Sequence, residues 1–474
     1  MAAKLLMVLG TSSSAGKTTI STALCRILKD LGLSVAPFKA ANMSLNSISL
    51  PDGSEIARAQ WLQAMACGID ATRDMNPILL KPEGGGKSQL IVRGTAIGVK
   101  SFSEYGEFMA SSGKSIVSES LSSLIEGHDA VVIEGAGSPA EINMMDTDLA
   151  NTYIMKEFNP FSILVGDIEK GGVFASLYGT LSLMPFPEKV GGLVINRMRG
   201  NRDILQPGIR KLEDRTGKKV LGVMPYLDGL LLPGEDSLDY EISKTPGSEI
   251  AVIRYPHAEN YSDLDSLFFS GLGTRLVNHR NQEEMEKARL IILPGSKRAD
   301  LDLEYLRSSG MDFRIRQLAS GGVAVLGICG GYQMLGKEID FGAGKPTVQG
   351  IGLLDSSTVY GNVKKTGQVE YCGTGSPFPE DVTGAGYEIH YGSVNSREPP
   401  LFKVGSRGEG SASETSRVFG TNIHGILENP KILSLLLGRK IALDYNQVLE
   451  ANIDRLSEEF RKNVDLSPVM EFIR

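Results

Sequence analysis

The sequence predicts an α/β protein of two domains, each built on a mostly parallel sheet flanked by helices. Short apolar runs alternate with helical patterns in the first half, and a second set of strand-like runs begins near residue 250. A stretch rich in proline, glycine and acidic residues separates the two sets. A chain of 474 residues is also too long for one ordinary hydrophobic core.

The strands expected in the first half are continuous apolar runs, the pattern of parallel strands buried on both faces. They cover residues 5–9, 34–37, 130–133, 162–165 and 192–195. Helical patterns between them include residues 18–31 and 53–67. This alternation indicates βαβ units and a doubly wound sheet.

The second half repeats the strand pattern at residues 250–253, 290–293 and 323–326. Residues 345–420 are rich in Gly, Thr and Val and favour β-structure, and the pattern is helical from residue 430 onward. We therefore expect a first domain over residues 1–232, a linker over 233–249, a second domain over 250–440 and a helical tail over 441–474.

Composition excludes several classes of protein. The net charge of −7 opposes a nucleic-acid-binding surface, which needs a basic excess. No apolar run approaches the roughly 20 residues of a membrane helix, and residues 5–9 read as a strand, not as a signal peptide. The 4 cysteines are far apart, without metal spacing or a disulfide framework. We expect a cytoplasmic protein.

A phosphate-binding loop follows the first strand. Backbone N–H groups at a helix N-terminus bind phosphate oxygens, a lysine neutralises their charge, and a hydroxyl reaches Mg²⁺. The spacing departs from the usual pattern because the first glycine of that pattern falls on Thr11. The residues predicted to bind nucleotide here are Gly10, Thr11, Ser12, Ala15, Gly16, Lys17, Thr18 and Thr19.

A metal ion at this loop needs oxygen ligands from strand ends. Thr18 supplies a hydroxyl, and Glu134 and Asp167 each end a strand at the carboxyl edge of the sheet. Either carboxylate could instead cap a following helix. Lys39 and Asn42 follow the second strand beside the expected switch point, and Lys39 is predicted to contact phosphate or a substrate carboxylate.

A thiol lies on a tight turn in the second half. Cys329 sits in Gly-Ile-Cys-Gly-Gly, after a buried strand and before a helical run. Such a turn presents a nucleophile near a helix N-terminus and near backbone N–H groups that hold an oxyanion. Among the 5 histidines, His424 is best placed as its base, because it ends a strand and precedes a glycine.

These motifs resemble known families. Gly-x-Cys-Gly-Gly-x-Gln-x-Leu-Gly at residues 327–336 is similar to class I, triad-type glutamine amidotransferases. The Gly-Thr-x5-Lys-Thr loop and the Glu-Gly-Ala-Gly turn resemble the dethiobiotin synthetase-like ligases. Further matching stretches at 37–46, 55–60, 75–82, 166–175, 293–297 and 386–390 make the combination resemble the cobyric acid synthase family of the cobalamin pathway.

The resemblance implies a reaction. Glutamine is hydrolysed at Cys329 with His424 as base, and the ammonia passes to the N-terminal domain. There ATP and Mg²⁺ phosphorylate the b, d, e and g carboxylates of adenosylcobyrinic acid a,c-diamide, and ammonia displaces each phosphate. The implied partners are small molecules, glutamine and the corrin, with neither nucleic acid nor membrane. Self-association into a homo-oligomer stays open.

Two alternatives remain at this point. The sister enzyme amidates the a and c side chains of cobyrinic acid, but the Asn-Met-Ser-Leu-Asn and Met-Asn-Pro stretches favour the cobyric acid synthase family. A ParA/MinD-like ATPase switch is disfavoured because the extra lysine of those loops is missing.

The chain departs from most triad-type glutaminases at one position. They carry Glu two residues after the histidine, where this chain has Ile426. The cobalamin branch lacks this Glu, so the group that orients His424 is left open, although Glu428 is near in sequence. Arg58, Lys81 and Arg93 are weaker candidates for binding the corrin carboxylates.

Overall fold

The computed structural model describes residues 3–234, 249–342, 344–414 and 417–474. The chain divides into two compact units. The first contains residues 1–44, 56–232 and 449–474, and the second contains residues 45–55 and 233–448. Most of the linker expected at 233–249 lies outside the described residues.

The first unit is built on a parallel sheet with the phosphate-loop strand near its centre. From edge to edge the strands are Val220–Pro225, Val190–Met198, Phe161–Asp167, Lys4–Gly10, Ala130–Glu134 and Val35–Phe38. Central strands are buried on both faces, which explains their continuous apolar runs. The doubly wound sheet expected from the sequence is confirmed.

The helices of the first unit follow its strands, as βαβ connections require. They are Lys17–Asp30, Arg58–Cys67, Phe102–Phe108, Lys114–Gly127, Thr152–Phe158, Val173–Leu183, Gln206–Thr216 and Ser467–Ile473. The helix Tyr445–Asn463 runs from the end of the second unit into the first. A smaller sheet contains Ala41–Met43, Ile78–Gly84, Lys87–Val92 and Thr95–Ser101.

One helix begins later than the sequence predicted. The pattern placed a helix over residues 53–67, but the helix starts at Arg58. A turn precedes it, in which the Leu50 N–H donates to the Ser54 carbonyl at 2.7 Å. The short paired strands Ser47–Ser49 and Glu55–Ala57 flank this turn, and the polar side chains in it bond locally and compete with a helix.

The second unit has its own parallel sheet. Its strands run Thr274–Val277, Ile250–Ile253, Leu290–Leu293, Ala324–Ile328 and Val418–Thr421, with Ser411–Ala412 added antiparallel at the edge. A second sheet contains the long hairpin formed by Ser356–Gly373 and Thr383–Ser396. Its other strands are Glu338–Asp340, Val348–Gln349, Phe402–Val404, Arg407–Glu409 and Ile423–His424. The β-rich prediction for 345–420 is thereby confirmed.

The helices of the second unit flank its parallel sheet. They are Asp265–Phe269, Ala299–Ser308, Met311–Ser320, Gly330–Leu335 and Pro430–Leu437. Ala258–Glu259 pairs with Gly295–Ser296 beside the cysteine turn. Within the described residues, none of the helices combines the length and the apolar character that a bilayer span requires.

Candidate functional site

The phosphate loop joins the strand Lys4–Gly10 to the helix Lys17–Asp30. Ser14 and Gly16 have φ of 58° and 99°, so the backbone turns repeatedly and directs successive N–H groups inward. A Cβ at Gly16 would lie 2.0 Å from Asn196 Nδ2. That amide donates to the Ala15 carbonyl at 3.0 Å, so Asn196 supports the loop from a neighbouring strand.

Lys17 and Thr18 face the turn that follows the strand Ala130–Glu134. The Lys17 ammonium donates to the carbonyls of Ser12 and Gly137 at 2.9 and 3.0 Å. The Thr18 hydroxyl donates to Glu134 Oε1 at 2.9 Å. The structure thus brings Lys17 and Thr18 to Glu134 and the turn after it, more than a hundred positions away in the sequence.

Glu134 is a fully buried carboxylate with a cation beside it. Lys39 Nζ lies 2.7 Å from Oε1, and Gln63 Nε2 donates to Oε2 at 2.5 Å. Lys39 is itself buried, so the two groups form a buried ion pair in which neither charge lacks a counter-charge. Lys39 therefore lies at the phosphate-loop carboxylate, and Gln63 is a site residue that the sequence analysis missed.

Asp167 has a different environment from Glu134. Its carboxylate pairs with Arg197 at 3.0 Å and accepts the Glu169 N–H at 2.8 Å. Asp167 ends the strand Phe161–Asp167 and so lies at the carboxyl edge of the sheet, as the sequence predicted. Its role as a metal ligand stays a prediction.

The weaker corrin-binding candidates and Asn42 each have contacts within the first unit. Arg58 stacks on Trp61 with its guanidinium 3.9 Å from the ring centre, and Lys81 is buried. Arg93 pairs with Asp74 at 2.9 Å. Asn42 is buried and donates to Gln60 at 3.0 Å.

Cys329 occupies a strained turn between the strand Ala324–Ile328 and the helix Gly330–Leu335. Its φ of 50° is unusual for a residue with a side chain, so the turn is strained. The next residues must be glycine, because a Cβ at Gly331 would lie 1.9 Å from the Leu293 carbonyl oxygen. The thiol lies 3.6 Å from the Ile389 carbonyl and is almost fully buried.

His424 is fully buried and held by an aspartate. Its Nδ1 lies 2.7 Å from Asp263 Oδ2, and Asp263 Oδ1 accepts the Gly425 N–H at 2.8 Å. This arrangement leaves Nε2 as the ring nitrogen available to the thiol. The Tyr387 ring stacks on the imidazole at 5.1 Å between centroids.

The charge on His424 is favoured by these neighbours. Burial disfavours the imidazolium, but the charge and hydrogen bond of Asp263, followed by Cys329, outweigh it and raise the pKa of His424 well above its usual value. A protonated histidine stabilises a thiolate, the reactive form of cysteine. By contrast, burial and then Cys67 raise the pKa of the Cys25 thiol, which fits a structural role.

The loop facing the cysteine turn is braced by a second histidine–aspartate pair. The Ser296 N lies 2.5 Å from where a Gly330 Cβ would stand, so this amide closely approaches the turn. Ser296 Oγ donates to Asp302 Oδ2 at 2.6 Å, and His257 Nδ1 lies 2.9 Å from Asp302 Oδ1. A fixed backbone amide here suits an oxyanion that forms at the thiol.

The sequence left open which group orients His424, and in the structure Asp263 makes the hydrogen bond to its imidazole. It lies 161 positions before His424, in the turn Tyr261–Leu264, and the sequence analysis missed it. No spacing motif joins the two residues, and Asp263 follows no strand directly. Glu428 is near His424 in sequence, but the hydrogen bond to the His424 imidazole comes from Asp263.

Comparisons with known proteins agree with both halves of the site. Residues 6–237 match the family described as the CobQ/CobB/MinD/ParA nucleotide binding domain, and residues 249–432 match the CobB/CobQ-like glutamine amidotransferase domain. The chain is 47% identical over 475 residues to a probable cobyric acid synthase of Picrophilus torridus, covering 99% of each chain.

Other relatives have the same description and extent. A probable cobyric acid synthase of Thermoplasma acidophilum is 47% identical, with 99% of each chain covered. A cobyric acid synthase of Pelotomaculum thermopropionicum is 40% identical over 98% of this chain and 96% of its own. Identity at this level across both domains establishes the relationship, and the chain belongs to the cobyric acid synthase family.

Proposed function

We propose that this protein amidates the b, d, e and g carboxylates of adenosylcobyrinic acid a,c-diamide, using ATP and glutamine. The observation that carries the proposal is the Cys329–His424–Asp263 arrangement in a chain that also holds a phosphate loop facing a buried glutamate. One centre releases ammonia, and the other activates a carboxylate to receive it.

At the first centre, the Cys329 thiolate attacks the side-chain carbonyl carbon of glutamine. The oxyanion that forms is stabilised by backbone N–H groups near the turn, including that of Ser296. The His424 imidazolium then donates its proton to the departing ammonia, and water releases glutamate from the thioester with His424 as base. Asp263 keeps the imidazole in the tautomer that these steps need.

At the second centre, the corrin carboxylate takes the γ-phosphoryl group of ATP and becomes an acyl phosphate. Ammonia then attacks the acyl carbon, the C–O bond to phosphate breaks, and an amide and inorganic phosphate result. Lys17 is suited to binding the phosphates, and the loop amides orient them. Each amide formed consumes one activated carboxylate.

The residues present fit a magnesium ion. Mg²⁺ in nucleotide sites takes one or two protein oxygens together with phosphate oxygens, and the Thr18 hydroxyl lies 2.9 Å from Glu134 Oε1. Thr18 and Glu134 would hold the ion, with Asp167 as a further candidate. When bound, it would neutralise charge on the transferring phosphoryl group.

The sister activity is amidation of the a and c carboxylates of cobyrinic acid. It is distinguished from the proposed activity by which corrin the protein amidates. Purified protein is incubated with ATP, Mg²⁺, glutamine and each corrin, and amides are counted by mass spectrometry. We expect the a,c-diamide to gain amides. Amidation of cobyrinic acid at a and c, with none of the a,c-diamide, would reject the proposal.

The two-centre scheme is tested with Cys329→Ala. We expect glutamine-dependent amidation to fall by about a thousandfold or more, since the nucleophile is gone. Amidation with ammonium chloride in place of glutamine should stay within about twofold of the unmodified protein. Cys372→Ala serves as the matched control. Failure of ammonia to rescue the variant would contradict separate centres.

A further inference from the structure

A short piece of the N-terminal half belongs to the glutaminase unit. The chain leaves the first unit after Ser44, contributes residues 45–55 to the second, and returns to the first at Ile56. We name residues 45–55 the inserted segment. Its contacts within the second unit converge on the groups that hold His424.

Tyr387 is the first residue that contacts both the inserted segment and His424. Its ring stacks on the His424 imidazole with an interplanar angle of 15°, and its hydroxyl donates to the Ser47 carbonyl at 3.3 Å. The inserted segment therefore bonds the residue that covers one face of the catalytic imidazole.

The second convergence is at the turn that carries Asp263. The Tyr261 N–H donates to Asn46 Oδ1 at 3.0 Å, and the Ser47 N–H donates to Asn260 Oδ1 at 3.3 Å. Asn260 and Tyr261 begin the turn that carries Asp263, whose carboxylate binds the imidazole at 2.7 Å. Asn46 and Ser47 thus bond near both groups that fix His424.

The rest of the inserted segment is anchored to one strand of the long hairpin. Gln368 donates to the Ser49 carbonyl at 3.3 Å, and Thr366 donates to the Gly53 carbonyl at 2.7 Å. Buried Glu55 pairs with Lys364 at 2.6 Å and accepts the Ser47 hydroxyl at 2.7 Å. A buried, charge-assisted anchor of this kind holds Ser47 in one position.

The chain on either side of the inserted segment leads to the phosphate site. Lys39 precedes the segment and Gln63 follows it, and both bond the Glu134 carboxylate that accepts the Thr18 hydroxyl. The inserted segment therefore contributes to the second unit, while residues on either side of it in the chain bond Glu134 in the first.

We propose that the inserted segment positions His424 for glutamine hydrolysis, acting through Tyr387 and the Asp263 turn. The inference rests on the proposed function and deepens it.

The test uses Tyr387→Phe, which removes only the hydroxyl, and Asn46→Ala, which removes the bond to the Tyr261 N–H. Tyr371→Phe is the matched control, since this buried tyrosine on the neighbouring strand bonds Asn429 instead. Glutamate release is measured over a range of glutamine concentrations, which separates kcat from KM. Ammonia-dependent amidation in the same preparations reports correct folding.

We expect glutaminase kcat in Tyr387→Phe to fall about fivefold, with the KM for glutamine unchanged. The kcat of Asn46→Ala should also fall, while ammonia-dependent amidation and the control stay normal. Unchanged kcat in both variants would overturn the inference. If the unmodified protein releases no glutamate at all, the proposed function fails instead.

Discussion

At the scale of single residues, the glutaminase centre depends on where charge is placed. A buried histidine is neutral unless an anion stabilises its charged form, and Asp263 is that anion for His424. Because the imidazolium is stabilised, it persists to higher pH than a free histidine would. The thiolate–imidazolium pair is then available over a wider range toward alkaline pH.

The change Asp263→Asn keeps the shape of the side chain and removes its charge. We expect glutaminase kcat to fall by about a hundredfold or more, since an amide favours the wrong imidazole tautomer. The pKa of His424 should fall, so the alkaline limb of the kcat/KM profile should move to lower pH. The profile is measured from glutamate release across pH.

The control for this change is Asp381→Asn, at an exposed aspartate that pairs with Lys431. It should leave both the rate and the pH profile unaltered. An Asp263→Asn protein whose alkaline limb coincides with that of the unmodified protein would show that Asp263 does not set the charge of His424.

At the scale of elements, both centres lie where a parallel strand turns into a helix. The phosphate loop follows Lys4–Gly10, and the cysteine turn follows Ala324–Ile328. Helix N-termini there direct N–H groups toward negative charge, phosphate in one case and an oxyanion in the other. Glycine is needed at Gly331 because neighbouring backbone fills the space of a side chain, and at Gly16 because the Asn196 side chain fills it.

The change Gly331→Ala tests the cysteine turn. The added methyl would stand 1.9 Å from the Leu293 carbonyl oxygen, so the turn must shift. We expect a loss of about 3 kcal/mol in stability, as for an overpacked core, and a loss of most glutaminase activity. Urea denaturation and glutamate release measure the two effects.

Gly367→Ala is the matched control, because an added methyl at this strand position meets nothing within 4 Å. It should change neither stability nor activity by a comparable amount. Normal glutaminase activity in Gly331→Ala would mean that the close packing of the turn is not required for catalysis.

At the scale of the whole molecule, one chain carries two chemistries on two similar layered architectures. Each unit buries its own parallel sheet and its own core. If the proposed function is right, disabling one centre should leave the other working, which distinguishes a two-centre ligase from an ATPase switch with a binding partner.

The change Lys17→Ala removes the lysine of the phosphate loop. We expect amidation with glutamine and with ammonia to fall together by about a hundredfold or more, because phosphate charge is no longer neutralised. Glutamate release without ATP should stay within about twofold of normal, since Lys17 belongs to the other unit. Product amides and glutamate are measured in parallel.

Lys211→Ala, at an exposed lysine in the helix Gln206–Thr216, is the control. If Lys17→Ala still amidated the corrin with ammonia, the phosphate loop would not be the activating centre. If it lost basal glutamate release, the two chemistries would not be separable in this chain.

The sequence by itself determined the fold class, the strands that carry the sites, and the local motifs around Lys17 and Cys329. Those features depend on neighbours in the chain: apolar runs make buried strands, and glycines allow tight turns. The same reasoning misplaced the start of the helix at Arg58, because local polar bonds decided it.

Only the tertiary structure decided what orients His424, what pairs with Glu134, and where residues 45–55 belong. Asp263, Lys39, Gln63 and Tyr387 come from separate elements, and no spacing in the sequence relates them to their partners. The physical reason is that a buried charge must find its counter-charge in space, and folding brings that group from any distance along the chain.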